Sequence, residues 1–483
     1  MAFLLLGRFL LRMRRECAAG LLSLLAATQM ARAGDQTSNE QACTAQRPTI
    51  MFWRWQEDWS ALANPACRTE PFDNLKYIPL SLTDPKSYIS LGMDLRERYE
   101  NLNAPSFGVH ASQPPQSDVI QRLEVDADIR PNADWQVFVQ LEDARAFGKL
   151  FITPADEDEL DLEEAFVTYM TPFLGGDLKV RVGRQEMAFD LQRFVAARDG
   201  ANVRQAFDAV WADWESKPWR VIPFWSEPVQ YVPTPPFNDY SNGSFQFGGF
   251  KAERDDIGPG KLSAYIAEYY LANAKSLFAS GFEHLNILDV RYAGNADGFD
   301  WDLETMGQLG SFGSKEARAL AIGSLAGYTF QNVAWQPRLG LQFDLATGTS
   351  HPNSNVIGTF NPLFPNEYYF NLSGFSTYAN LVHFKPSLTV SPTSKLKIFA
   401  AIAGQWRETA ADAVYTVPEV PVPGTAGKGG LWTALYQEVS MDYAFNANLT
   451  GEVQVDHYNV GKTIREAGGH DSTYVGVQLQ FGW

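Results

Sequence analysis

The chain runs to 483 residues, with 39 Lys and Arg against 56 Asp and Glu and a formal net charge of −17. That acid excess excludes a nucleic-acid binder, since no basic surplus exists to neutralise phosphates. Hydrophobic residues make up 45% and aromatic residues 13%, yet beyond the N-terminal region no run approaches the roughly 18 apolar residues a spanning helix needs; the longest, Ala319 to Tyr328, is too short.

Arg8, Arg12, Arg14 and Arg15 precede an apolar stretch, Ala18 to Ala27, and Ala31-Arg32-Ala33 supplies a small-residue cleavage site. Residues 1–33 therefore read as a secretory signal peptide, and initiation at Met13 gives a tighter version of the same signal. Its removal takes away five Arg and one Glu, which moves the net charge from −17 to −21. Cys17 leaves with it, so Cys43 and Cys67 remain in a segment, 34–87, assigned to the periplasmic side. An even pair in an oxidising compartment, without CxxC spacing or a neighbouring His cluster, reads as a disulfide. The histidines at 110, 284, 351, 383, 457 and 470 are scattered singly, and neither a metal nor a cofactor is expected.

Period-two segments recur from about residue 88. In Tyr88 to Glu100, Ile89, Leu91, Met93 and Leu95 share one face, and Asp94, Arg96, Arg98 and Glu100 the other. Leu123, Val125, Ala127 and Ile129 then oppose Arg122, Glu124, Asp126, Asp128 and Arg130. The same split follows in Trp135 to Leu141 (Gln136 and Gln140 on the polar face) and in Leu178 to Val182 (Lys179 and Arg181). It returns in Arg338 to Leu345, Leu396 to Gln405 and Leu449 to Asp456. The last segment, Tyr474 to Trp483, places Val475, Val477, Leu479 and Phe481 against Gly476, Gln478 and Gln480 and stops on an aromatic residue. That pattern resembles the signal by which outer-membrane barrels are recognised for insertion.

In a soluble sandwich the polar faces look at bulk water; in a barrel they look into a lumen. An exported chain with weak overall hydropathy fits the barrel, which spends only alternate residues on lipid. Short polar connections, Pro131 to Asp134 and Ser391 to Ser394, alternate with long Gly/Pro/Asn stretches at 103–117, 233–244, 347–367 and 417–430. The expectation is an all-β fold: a single outer-membrane antiparallel β-barrel over 88–483 with short periplasmic turns and long extracellular loops. At ~20 residues per strand and connection, the ~395 residues after Tyr88 hold roughly 16 to 20 strands, wide enough for an aqueous channel. The partners implied are outer-membrane lipid and the barrel-assembly machinery of a Gram-negative cell.

Several stretches in order along the chain resemble the alginate export outer-membrane porins. They are Arg54-Trp55-Gln56-Glu57-Asp58-Trp59-Ser60 with Leu75 to Leu80; Leu95-Arg96-Glu97-Arg98-Tyr99-Glu100; Asp161-Leu162 leading into Ala165-Phe166-Val167; Val182-Gly183-Arg184-Gln185-Glu186 with Phe207 to Val210; and Phe360 to Pro365 ahead of Tyr369-Phe370. The resemblance implies eighteen strands and a lumen with an arginine-rich constriction for an anionic polysaccharide. It fixes architecture more closely than cargo.

An anionic polymer needs always-charged, planar donors that bind and release in series, which favours Arg over Lys. The candidate conduit is Arg96, Arg98, Arg122, Arg130, Arg181, Arg184, Arg193 and Arg338, with Arg145, Arg198 and Arg204 nearby in less regular segments. These residues alternate with carboxylates such as Glu100, Glu124, Asp126, Asp128 and Glu142, so cross-barrel ion-pair ladders are the competing reading. Gly183-Arg184-Gln185 reads as a turn into a basic loop that folds into the bore, or as a hairpin with Arg184 paired to Asp208 or Glu186. Phe360 to Pro365 reads as a loop over or into the mouth, or as an apolar clamp on the rim. The acidic run Asp156 to Glu164 lacks EF-hand spacing and reads as a solvated loop. No GxSxG, HExxH, P-loop or dinucleotide motif is present, and His457 beside Asp456 is the one hint of a catalytic pair. The leading function is therefore passive export of an anionic exopolysaccharide such as alginate. The alternatives are a porin taking up small anionic or aromatic solutes and a non-conducting structural barrel.

Overall fold

A computed structural model describes residue 43, residues 46–109 and residues 114–483. The signal peptide and His110 lie outside the described residues, and residues 45–483 cluster as one unit. The strands of the wall are β1 (Tyr88–Leu102), β2 (Gln116–Arg130), β3 (Trp135–Phe147), β4 (Asp158–Phe173), β5 (Gly176–Glu186), β6 (Ala206–Ser216), β7 (Trp219–Pro228), β8 (Phe245–Ile257) and β9 (Gly260–Lys275). They continue as β10 (Ser280–Ala296), β11 (Phe299–Phe312), β12 (Lys315–Thr329), β13 (Arg338–Ala346), β14 (Leu381–Thr393), β15 (Leu396–Trp406), β16 (Trp432–Ala444), β17 (Leu449–Val460) and β18 (Ser472–Gly482). These eighteen strands form a closed antiparallel β-barrel. Each pairs with its sequence neighbour, and β18 closes on β1 in the register Phe481 to Leu95. Closure leaves no free edge, which is the condition for placing strands in lipid.

The alternation places side chains as expected. Val125, Val167, Val182, Val210, Val439 and Val455 are exposed on the outer face, while Arg122, Glu124, Asp128 and Gln140 are buried inside. At the short-turn end, Trp135 stacks near Tyr169 (4.7 Å between centroids) and Phe299 near Tyr328 (4.6 Å), the position of an interfacial aromatic girdle. Turns at that end include 174–175, 217–218, 258–259 and 394–395. At 297–298 both residues are left-handed, Asp297 at φ 51° and Gly298 at φ 87°, the Asp-Gly pair favoured by a two-residue hairpin. The longer connections (103–115, 148–157, 187–205, 229–244, 347–380, 407–431 and 461–471) sit at the opposite end.

Two sequence expectations change and two open readings are resolved. Gly183-Arg184-Gln185 is not a turn but lies inside β5, paired to Ala209, Asp208 and Phe207 of β6. The acidic run is not a solvated loop throughout: Asp158, Asp161, Glu163 and Glu164 are buried in β4, because the connections 187–205 and 229–244 fold over that strand's upper end. Phe360 and Phe364 are nearly inaccessible, because their loop enters the barrel instead of resting on its rim. Asp456 faces inward from β17 and His457 the opposite way, toward Thr473 (2.9 Å), so they do not form a pair.

Candidate functional site in the barrel bore

The bore is shaped by two long loops. In 187–205, Phe189, Phe194, Val195, Ala196 and Ala197 are buried; in 347–380, Phe360, Leu363, Phe364, Phe370 and Tyr378 are buried. The loops join directly: Phe364 N donates to Phe194 O at 2.9 Å, and Phe194 packs on Phe360 and Tyr378. Their apolar side chains fill one continuous cluster with inward residues of β6 to β13, including Phe207, Phe224, Phe247, Tyr265, Leu285 and Met306. Burying aromatic residues of this size, each contributing about 2–3 kcal/mol of transfer free energy, holds the loops inside the barrel.

The charged side of the first loop is fixed by the β1 and β2 arginines. Arg96, fully buried, donates to Asp199 O (2.5 Å) and Ala201 O (2.6 Å), and Arg98 donates to Gly200 O (2.7 Å) and pairs with Glu100 (2.9 Å). Arg122 pairs with the Asp199 carboxylate. Burial pushes that carboxyl up, but Arg122, Arg204 and Arg96 outweigh it and hold Asp199 well below the ordinary carboxylate range. Arg198 next to it takes φ 56°, a left-handed turn that helps present the carbonyls of 199–201 to β1.

Each remaining candidate also has partners. Arg184 forks onto Asp208 at 3.0 and 3.2 Å, as the hairpin reading anticipated. Arg193 bridges Asp302 (2.7 Å) and Glu304 (2.6 Å), Arg338 pairs with Asp300 (2.8 Å), and Arg204 bridges Glu124 (3.1 Å) and Glu186 (2.6 Å). Arg145 spans Asp143 and Glu159. Arg130 pairs with Asp128 (2.8 Å) and donates to the carbonyls of Trp55 and Glu57, while Arg181 lies 3.6 Å over the Trp55 ring. The last two hold the N-terminal segment in the short-turn end of the bore. There Trp53 reaches Glu186 (3.0 Å), and Arg54 donates to the Trp483 carbonyl.

Open space lies along β13 to β18, with further cavities of about 290 Å³ between the N-terminal segment and β1 to β3 and about 360 Å³ at the short-turn end of β4 to β6. A cavity of about 700 Å³ at the short-turn end is lined by Ser391, Lys395, Lys397, Asp442, Glu452 and Tyr368. It adjoins one of about 330 Å³ deeper in the bore, which shares Tyr368, Lys397, Asp442 and Glu452 and adds Arg338 and Lys385. On the long-loop side a cavity of about 170 Å³ is lined by Arg98, Glu100, Asp118 and Lys149. The contact between Arg98 and the Tyr368 hydroxyl (3.4 Å) stands between the two sides, and Gln478 also accepts from that hydroxyl (3.2 Å).

Lys385, Lys397, Tyr368 and Asp199 were not among the sequence candidates. The β14 and β15 lysines were passed over because Arg was sought for bidentate contact. Arg407 was also missed: it is buried and donates to the carbonyls of Ala410, Asp412, Thr425, Lys428 and Gly430, so it organises the 407–431 connection.

Three solved barrels illustrate the likeness in fold. Pseudomonas aeruginosa OccK2 (OpdF) in complex with glucuronate is 11% identical, with TM-score 0.52 over 82% of this chain and 96% of that one. Acinetobacter baumannii OccAB1 is 12% identical, with TM-score 0.55 over 82% and 96%. A BenF-like porin from Pseudomonas fluorescens Pf-5 is 10% identical, with TM-score 0.55 over 82% and 99%. No curated protein matches the chain. The sequence pattern of the Alginate export family matches residues 87–478, which is nearly the whole wall from β1 into β18. With that match on a closed eighteen-stranded wall, the chain belongs to the alginate export family of outer-membrane β-barrel channels.

Proposed function

We propose that this outer-membrane channel passes small carboxylate-bearing solutes of the uronate kind along the β13 to β18 side of its bore. The observation that carries this reading is the direct junction of loops 187–205 and 347–380 across the interior, with Phe364 N on Phe194 O at 2.9 Å. The adjoining cavities beside the junction, about 330 and 700 Å³, have the size of sites for single small molecules, about 300–1,000 Å³. Lys397, over half exposed and paired with Asp442 at 3.1 Å, and Arg338, 30% exposed and paired with Asp300, present their remaining donors to this path. The eight arginines proposed as a conduit act here chiefly by positioning loop and wall; Arg98 and Arg338 also face the path. Glucuronate, the ligand of OccK2, has the required chemistry.

Export of an anionic polysaccharide is the second reading, favoured by the family match over residues 87–478. It requires the two loops to part. Planar-bilayer recording at low salt, where screening is least, separates the readings. For the small-solute reading, reversal potentials favour Cl⁻, and monomeric glucuronate blocks the current at least as well as an oligo-uronate of the same carboxylate concentration. A block that strengthens steeply with chain length supports polymer export. A cation-selective pore indifferent to all uronates rejects both. Replacing Arg338 and Lys397 together by Gln should move the reversal potential toward zero.

A further inference from the structure

Asp190 in loop 187–205, Asp289 on β10 and Glu304 on β11 bring carboxylate oxygens within 4.8 Å of one another. Asp289 is fully buried, yet among the described residues neither of its carboxylate oxygens accepts a hydrogen bond. Asp190 Oδ2 is also without a partner. The neighbouring cations address Asp190 and Glu304 but make no hydrogen bond to Asp289. Lys251 (3.1 Å), Arg291 (3.2 Å) and Ser263 (2.9 Å) all address Asp190 Oδ1. Arg193 is divided between Asp302 and Glu304, and Arg291 also holds Asp302.

A separate side chain points to the same place. Tyr265 on β9 is 2% exposed, and its hydroxyl has no hydrogen-bond partner among the described residues. Tyr265 stands directly opposite Asp289 in the β9 to β10 register, and its hydroxyl lies in the field of Asp289, Glu304 and Asp190 together. An unpartnered hydroxyl and an unpartnered carboxylate, both dry, facing two further carboxylates, form an all-oxygen donor set. Hard cations bind such sets, and an isolated buried carboxylate is costly without a counter-charge.

We propose that Asp190, Asp289 and Glu304, with the Tyr265 hydroxyl beside them, bind one hard divalent cation of the Ca²⁺ class. Because Asp190 belongs to loop 187–205 while the other three sit on the wall, the ion ties that loop to β9, β10 and β11. It does so on the side of the bore away from the arginines of β1 and β2. This site is independent of what the channel conducts.

The test uses the full barrel refolded into detergent free of lipopolysaccharide, stripped of metal, and titrated calorimetrically with CaCl₂. The expected result is one Ca²⁺ per chain, lost in Asp289→Asn and retained in Asp158→Asn, a control at the separate Asp158, Asp161 and Asp239 cluster. Tyr265→Phe, which keeps the ring and so the packing, should weaken binding several-fold and gives an answer should Asp289→Asn not fold. Heat-modifiable migration checks that each variant is assembled. No binding to the wild type, or undiminished binding in a folded Asp289→Asn or Tyr265→Phe barrel, overturns the proposal and leaves a proton as the counter-charge of Asp289.

Discussion

The inner wall from β6 to β13 and the inner wall from β13 to β18 are built from similar strands but have opposite fates. In the first, inward residues such as Tyr265, Leu285, Met306 and Ala321 are apolar, and two loops settle on them. In the second, inward residues toward the short-turn end such as Lys397, Asp442, Glu452 and Gln478 are polar and line open space, whereas nearer the long loops Ala434, Tyr436 and Tyr458 are covered by Phe107, Phe375 and Ile464. A loop enters where it can bury apolar surface and bring a partner to most of the charges it covers, as Arg193 does for Asp302 and Glu304. The channel path is therefore set by where the inner face is greasy as much as by where it is charged.

The largest effect should come from breaking the seam where the open sector closes on β1. Phe481 pairs with Leu95 and with Leu449, and Trp483 exchanges backbone hydrogen bonds with Met93 (2.8 and 2.9 Å). Deleting 481–483 removes these bonds from the closing strand and should abolish assembly, leaving the chain in the periplasm without a heat-modifiable band. Normal outer-membrane assembly of the truncation would show that closure does not depend on this end of β18.

Releasing the packed loop comes next. Replacing Arg96, Arg98 and Arg122 together by Gln removes the donors to 199–201 and the closest partner of Asp199, leaving that half-buried carboxylate with Arg204 alone beside it. Single-channel conductance should rise severalfold as loop 187–205 moves, whereas Lys397→Gln in the open sector should change it less than twofold. Equal conductance in the triple variant and the wild type would mean that the apolar contacts alone hold the loop.

The predicted Cys43 to Cys67 bridge acts beside the start of β1, where Cys67 lies buried with Trp59, Leu62, Tyr77 and Tyr88. Chain entropy for a loop of that length predicts about 3.5 kcal/mol of stabilisation, confined to the N-terminal segment. Intact mass should rise by about 2 Da on reduction, and Cys67→Ser should leave the barrel assembled while residues 46–87 become sensitive to protease. Two freely alkylated thiols in native protein would refute the bridge.

The smallest effect is a pH dependence at Lys76, which lies between the rings of Trp59 (5.1 Å) and Trp483 (4.8 Å). Burial and the nearby Arg54 push its ammonium down to about 8. Between that value and the ordinary 10.5 the released segment holds a proton that the docked one does not, so docking strengthens as pH rises through this window. Hydrogen exchange of residues 59–77 should slow, relative to the intrinsic rate, from pH 8 to 10. Lys76→Met should remove the trend.

The strands with charged inner faces were legible because alternation there is clean: β1, β2, β3, β5 and β13 place their apolar and polar residues as read. β10 was not legible. It turns Leu285 and Ile287 inward and exposes His284 on the outer face, so polarity does not follow the lumen. The arginines and their local ion pairs were legible, as with Arg130 and Asp128 or Arg184 and Asp208, but partners from far along the chain were not: Asp199 is 77 residues from Arg122, and Asp302 is 109 from Arg193.

By itself the sequence determined an exported chain, a strand period of two, lipid-facing valines and leucines, turns at one end and loops at the other. All of these are local, fixed by the alternation of side chains along an extended backbone and by turn chemistry. Only the tertiary structure decided which charges are spent on each other and which face the path. It also decided which cavities remain and that Asp289 is buried without a hydrogen-bond partner among the described residues, because a closed wall brings distant loops together inside a space with little water.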